Sequence, residues 1–276
     1  MKSMYVRFPS GKFRAVTFSY DDGVETDIRL IDIFKRHGLK GTFNINTGLF
    51  APEGTVYPKG TVHRRMSKSQ IIEAYEGSGM EVAVHGQRHL FWNAQQGVGA
   101  LWDIWEDRKE LEAMFGTPIR GAAYPYGAYN DTAVEALKNC GILYCRTVKA
   151  TNGFNLPQDY LRLHPTCHHN GALPLVDPFF AHREHGEAKL FYIWGHSYEF
   201  DGQDNWNVIE ELAEKLGGRE DVWYATNIEI YDYMDAYNRL VTTLDRRSVY
   251  NPSVIPVWFE LWGKTYCVEP GQTLSL

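Results

Sequence analysis

The stretch TFSYDDG, residues 17–23, closes an apolar, β-branched run with two adjacent aspartates and a glycine. A strand is expected over 14–20, stopping where Gly23 lets the backbone turn. Two carboxylates that close cannot both ionise cheaply unless a cation or a donor stands between them. Asp21 and Asp22 therefore require a partner from elsewhere in the chain.

Outward from this strand, short β-rich runs alternate with helical patterns. That alternation predicts a parallel α/β fold. Strands are expected near 14–20, 41–46, 80–85, 120–125, 142–148, 189–196 and 221–226. The helices between them carry end signals. Ser67 and Gln70 stand at capping-box spacing, Asn130 suits an N-cap, and Gly38, Gly116 and Gly141 stand where left-handed caps belong. About seven β/α units result, close to the complement of a barrel, without an internal repeat. Residues 149–188 are the least regular and are expected as a long loop over one rim. After residue 244 the helical signal ends. The expected organisation is thus a barrel over 1–244 and a small β appendage over 245–276. Pro252, Pro256 and Pro270 confine the appendage to edges and turns. Its aromatics Trp258, Phe259 and Trp262 leave open whether it covers the barrel or makes a subunit contact.

The composition sets outer bounds. With 276 residues, 44% of them hydrophobic, the chain can bury a sizeable core. A net charge of −6 and no basic stripe argue against nucleic acid or an anionic membrane as partner. No apolar run approaches the ~18 residues of a membrane span. Cys140, Cys145, Cys167 and Cys267 show no C-x-x-C spacing and are expected as free thiols. The first twenty residues lack an apolar leader segment, so a cytoplasmic location is the expectation.

In a parallel β/α barrel the strand C-termini converge on one face, where active sites are built. Asp21 and Asp22 follow the first strand, HGQRH (85–89) the third, YPYG (124–127) the fourth, and GHSYEFD (195–201) the sixth. One carboxylate and two imidazoles suit a borderline divalent metal, zinc first, and leave a position for water. His85 and His89 stand four apart, so a helical turn or a tight loop points both rings the same way. Neighbouring strand residues face opposite sides. A bend at Asp22 and Gly23 is therefore needed for one aspartate to ligate while the other meets the metal's water. The same four-residue spacing recurs at His164 and His168, with Cys167 and His169 beside it, in a chain with ten histidines. That cluster falls in the irregular stretch and is expected at a loop or rim.

The ordered set TFSYDDG, HGQRH, YPYG and GHSYEFD resembles the polysaccharide deacetylase family, also called the NodB-homology domain or carbohydrate esterase family 4. The similarity spans roughly residues 14–230. It implies a distorted (β/α)7 barrel and a metal-dependent hydrolase that removes N-acetyl groups from a carbohydrate. By position, it implies Asp21 as general base and Asp22, His85 and His89 as metal ligands. It further implies the Tyr126 N–H as an oxyanion donor and His196 as general acid. Two departures stand out. Many members carry an arginine where this chain has Ala123; Arg146 and Arg162 are the candidate substitutes, since Arg120 faces the other way by strand parity. The carboxylate that tunes the acid histidine is open between Glu199 and Asp201. A cyclic amide hydrolase of the allantoinase type and a non-catalytic carbohydrate-binding relative are the competing functions.

Aromatic residues crowd these motifs: Tyr20, Phe91, Trp92, Tyr124, Tyr126, Trp194, Tyr198 and Phe200. About half are expected in the core. Tyr20, Trp92, Tyr124 and Tyr198, with Tyr126, are the candidates for a sugar-binding wall, Trp92 and Tyr126 foremost.

Overall fold

After a short first strand, β1 (Tyr5–Arg7), the chain enters β2 (Arg14–Asp21), all eight of whose residues are buried. Such a strand has neighbours on both edges and both faces, which is how a parallel sheet reads. The structure is a computed structural model and describes residues 4–276. Seven further strands align with β2: β3 (Gly41–Ile45), β4 (Glu81–Val84), β5 (Gly121–Ala123), β6 (Tyr144–Arg146), β7 (Cys167–His168), β8 (Lys189–Gly195) and β9 (Val222–Tyr224). They run parallel in the order β6-β5-β4-β3-β2-β8-β7, with β9 beside the start of β2. This is the distorted (β/α)7 barrel that the family resemblance implies.

The helices are α1 (Thr26–Arg36), α2 (Lys68–Tyr75), α3 (Gly99–Phe115), α4 (Asp131–Asn139), α5 (Val176–Ala181), α6 (Tyr198–Gly202), α7 (Trp206–Leu216) and α8 (Asn227–Asn238). Ser67 and Gln70 form the capping box of α2, Asn130 caps α4, and Gly116 ends α3 at φ 63°. Helix α1 lays Leu30, Ile33 and Phe34 against the sheet, with the Phe34 ring 4.6 Å from Phe18. Burying one such ring contributes roughly 2–3 kcal/mol, so this interface positions the end of β2, where the aspartates stand.

The barrel is open between its two edge strands, β6 and β7. Residues 147–166 fill that seam, with Thr147 donating to the Leu163 carbonyl at 2.9 Å and Thr166 to that of Tyr192 at 2.8 Å. The long loop expected over 149–188 is therefore partly structured. It holds β7 and α5, each too short to show a period in the sequence.

The C-terminal β structure begins at Val241, a few residues before the expected appendage over 245–276. It consists of β10 (Val241–Thr242), β11 (Ser248–Tyr250), β12 (Val257–Leu261), β13 (Lys264–Val268) and β14 (Thr273–Ser275). One antiparallel sheet is β10-β11-β14; the other is β1-β12-β13 and recruits the first strand of the chain. Arg7 pairs with Glu260 across that junction, and the Tyr233 hydroxyl of α8 donates to the Arg7 carbonyl at 2.6 Å. Phe259 is fully buried and Trp258 packs against the barrel, so of the three tail aromatics only Trp262, 47% accessible, is exposed. All four cysteines are free, and no described helix is long and apolar enough to cross a membrane.

Candidate metal centre and its surroundings

The polar residues of interest stand at successive strand C-termini. Asp21 ends β2, His85 follows β4, Arg146 ends β6, His168 ends β7, and His196 follows β8. Three site residues have left-handed backbones: Asp22 (φ 90°), His89 (φ 54°) and Tyr126 (φ 59°). Non-glycine residues adopt this region at a cost of order 1–3 kcal/mol, and such strain gathers at functional sites. At Asp22 the effect is direct. Leaving the strand conformation brings its side chain to the same rim as that of Asp21.

His85 is buried, and its Nδ1 lies 2.9 Å from the Ala123 carbonyl. A carbonyl only accepts, so Nδ1 carries the proton and Nε2 presents a lone pair. That Nε2 is 3.2 Å from His89 Nε2, and His89 Nε2 is 3.8 Å from Asp22 Oδ1. Ligands at 2.0–2.1 Å around a tetrahedral ion stand about 3.3 Å apart. Burial, with His85 next to it, pushes His89 down to about 4, and burial lowers His85 as well. Both rings are thus neutral, as ligands must be. The residues present fit a divalent metal.

Asp22 is held by the segment before α2. Arg65 donates to its Oδ1 at 3.0 Å, and His63 Nε2 lies 3.3 Å from Oδ2. Burial would raise this carboxyl, but His63 and Arg65 hold it well below the usual range. Neither residue was singled out by sequence reasoning. The signal available was the run His63, Arg64, Arg65 in an otherwise acidic chain.

Asp21 accepts from Asn44 Nδ2 at 2.8 Å on one oxygen and from Arg146 on the other. Burial would raise its carboxyl, yet Arg146, followed by His85 and His196, keeps it below the ordinary value. Arg146 resolves the departure at Ala123. The two residues are register partners on β5 and β6, so the guanidinium reaches Asp21 from one strand further along. It is fully buried and lies 4.7 Å over the Trp194 ring. Arg162 instead pairs with Asp131 and Asp159 at the surface.

His196 Nε2 is 3.8 Å from Asp21 Oδ2, and its Nδ1 is 3.0 Å from Glu199 Oε1. Burial would depress this imidazole, but Glu199, then Asp21 and Asp22, raise it above its usual value. Asp201, the other candidate, is bonded to Arg64 and Trp206.

The aromatic wall requires correction. Tyr20, Trp92 and Tyr124 are buried. Tyr20 packs among Phe34, Phe43, His169 and Phe200; the Trp92 indole donates to Asp103 at 2.9 Å; the Tyr124 hydroxyl donates to the Leu161 carbonyl at 2.7 Å. Each has its polar end satisfied inside or is enclosed by other rings, so none can meet a ligand from solvent. Tyr198 is half-buried between His63 and His196. The exposed platform is Tyr126 stacked on Phe91, centroids 3.8 Å apart, with Tyr126 edge-on to His89 at 4.4 Å. The choice of Trp92 over Phe91 missed by one residue. Nothing in a turn of this kind tells which of two adjacent rings faces inward.

The expected rim cluster at 164–169 also divides. His164 bonds Thr147 and Cys167 is buried in β7, while His168 and His169 meet Glu199.

Fold and site together place two aspartates and three histidines at the C-terminal rim of a parallel β/α barrel. The family model described as polysaccharide deacetylase matches residues 9–145, and through roughly that half of its length the chain belongs to the polysaccharide deacetylase family. A family 4 carbohydrate esterase from Streptomyces lividans, solved with acetate, is similar in fold at TM-score 0.52 and 15% identity, covering 78% of this chain and 93% of that one. The Xyl-CE4 domain of a multidomain xylanase from the hindgut metagenome of Trinervitermes trinervoides gives TM-score 0.52 at 15% identity, over 81% of this chain and 92% of that one. The Streptococcus pyogenes deacetylase PplD gives TM-score 0.45 at 19% identity over 53% of this chain, which spans 62% of its length. No curated protein matches the sequence.

Proposed function

We propose that the protein is a metal-dependent hydrolase that removes the acetyl group from the nitrogen of an N-acetylated sugar. The observation that carries this reading is the meeting of two neutral imidazoles and Asp22 at ligand spacing, with Asp21 and His196 beside them. Asp22 Oδ1, His85 Nε2 and His89 Nε2 would hold a divalent ion, zinc first. Bound there, the ion supplies a Lewis acid that lowers the pKa of water from ~16 towards 7.

Asp21 is the general base. Asn44 and Arg146 fix its two oxygens and keep it ionised, so it can take the proton of the attacking water. The Tyr126 N–H donates to the oxyanion, a contribution of roughly 3–4 kcal/mol per donor. His196, protonated and steered by Glu199 on Nδ1, hands its Nε2 proton to the departing nitrogen. Acetate and a free amine leave. Phe91 and Tyr126 offer a flat apolar face suited to a sugar ring.

The test is acetate release from N-acetylated oligosaccharides by the zinc-loaded protein. Release that falls about 10³-fold in Asp21→Asn supports the reading. No release, together with opening of a cyclic amide, replaces it with the allantoinase-type function.

A further inference from the structure

Behind His196 lies a second group of two imidazoles and a carboxylate. His168 ends β7, His169 follows it, and Glu199 stands in the first turn of α6. His168 Nε2 and His169 Nε2 lie 3.0 and 3.2 Å from Glu199 Oε2. We propose that His168 Nε2, His169 Nε2 and Glu199 Oε2 form a second binding site for a borderline divalent cation of the zinc type, distinct from the Asp22 centre. The proposal does not depend on the deacetylase reading.

These separations match both a hydrogen bond and the spacing of ligands that share one ion. Yet the ring nitrogens of His169 and Glu199 Oε2 make no hydrogen bond, although all three atoms are buried. An imidazole proton donates along the ring's own lone-pair axis, so a carboxylate off that axis is not a proper partner. Three ligand atoms within 4.8 Å of one another, two of them 3.0 and 3.2 Å from the third, are close to the arrangement ligands take around a shared ion. His169 is fully buried. A cation on Nε2 would give this buried ring a partner at one of its two nitrogens. Its position is built into the chain. A Cβ on Gly195 would stand 2.0 Å from His169 Nδ1, so glycine there makes the room, and Phe200 stacks on the ring at 4.3 Å.

The two-nitrogen, one-oxygen set is the borderline donor combination of the Asp22 centre, and it selects the same kind of ion. His168 and Glu199 remain partly accessible, which provides an entry path. One contact opposes the site. The Asn170 N–H lies 3.4 Å from His168 Nδ1, and a cation on Nε2 would place a proton on that nitrogen. At the far limit of a hydrogen bond it is the weaker demand. The competing account, two imidazole protons shared by Glu199 Oε2, satisfies that contact but not the angles. With its Oε1 on His196 Nδ1, Glu199 would then be fixed at both oxygens, and the cation would hold the end of β7 to the start of α6.

The experiment is titration of metal-free protein with Zn2+ against a chromophoric chelator, repeated with Co2+ for its visible spectrum. Wild type is expected to take two ions, His89→Ala one, His168→Gln one, and the double variant none. His168 is partly accessible and Gln keeps its bulk, so this variant should melt as wild type does. His169→Gln provides a second route to the same loss. Exposed His182 serves as the control, and His182→Gln should keep both ions. A wild type that takes one ion, or His168→Gln and His169→Gln with wild-type stoichiometry, or equal loss in His182→Gln, overturns the site.

Discussion

The Asp22–His85–His89 group and the His168–His169–Glu199 group are built from the same parts on either side of β2, one toward β4 and the other toward β7. They differ in what holds the parts. In the first group the Ala123 carbonyl sets the tautomer of His85, and Arg65 and His63 take both oxygens of Asp22. In the second, ring packing against Tyr20 and Phe200 places His169, and Glu199 divides itself between the group and His196. Hydrogen bonds from the scaffold decide a protonation state; stacking decides only a position. The first group is therefore a committed electrostatic device, and the second depends on what arrives between its donors.

The largest expected effect separates the two adjacent aspartates. Asp22→Ala should lose the ion of the first group and all measurable turnover. Asp21→Asn should keep the ion and lower turnover by about 10³-fold, the scale of a general base. Metal analysis and acetate release on both variants decide this, and equal ion loss from both would break the division of roles. Next comes the guanidinium that only the first side possesses. Arg146→Met strands the buried Asp21 carboxylate and should cost about 3 kcal/mol or more in a urea unfolding series. An unchanged midpoint would mean that Asn44 alone suffices.

The smallest effect comes from a third buried carboxyl, Asp27, which faces no imidazole and no guanidinium. It accepts from the Tyr75 hydroxyl at 2.7 Å, the Val24 N–H at 3.1 Å and the Ser197 hydroxyl. Burial outweighs these donors and pushes it up to about 7. Because the folded value lies above the unfolded one, its contribution to stability is complete below about pH 4 and is lost as pH rises through 7. Urea midpoints for wild type and Asp27→Asn at pH 5 and pH 8.5 should therefore diverge, with wild type losing more at the higher pH. Parallel behaviour would show that Asp27 is ionised throughout.

These contrasts also mark what could be read in advance. Chemistry that lies on a strand end beside a turn signal, as at Asp21, Asp22, His85 and His196, shows in the residue string because strand, turn and polar group are contiguous. Arg146 and Glu199 were named only as members of pairs, since the choice rests on register between β5 and β6 and on a loop angle beyond His196. Arg65 and His63 act through a long connection with no period of its own. The two-residue strand β7 lies below the length at which alternation can be recognised, and so the pairing of its histidines with Glu199 was hidden. The partner of β1 was hidden for the opposite reason, because sequence distance conceals contact.

That last contact has a consequence for assembly. Arg7 and Glu260 are 253 residues apart in the chain, yet their strands lie side by side. Such a clasp can close only after nearly everything between has been synthesised, although Arg7 can reach the Gly186 carbonyl and the Tyr233 hydroxyl before β12 arrives. A ribosome-bound fragment ending before β12 would carry a formed barrel with its opening strand still unzipped.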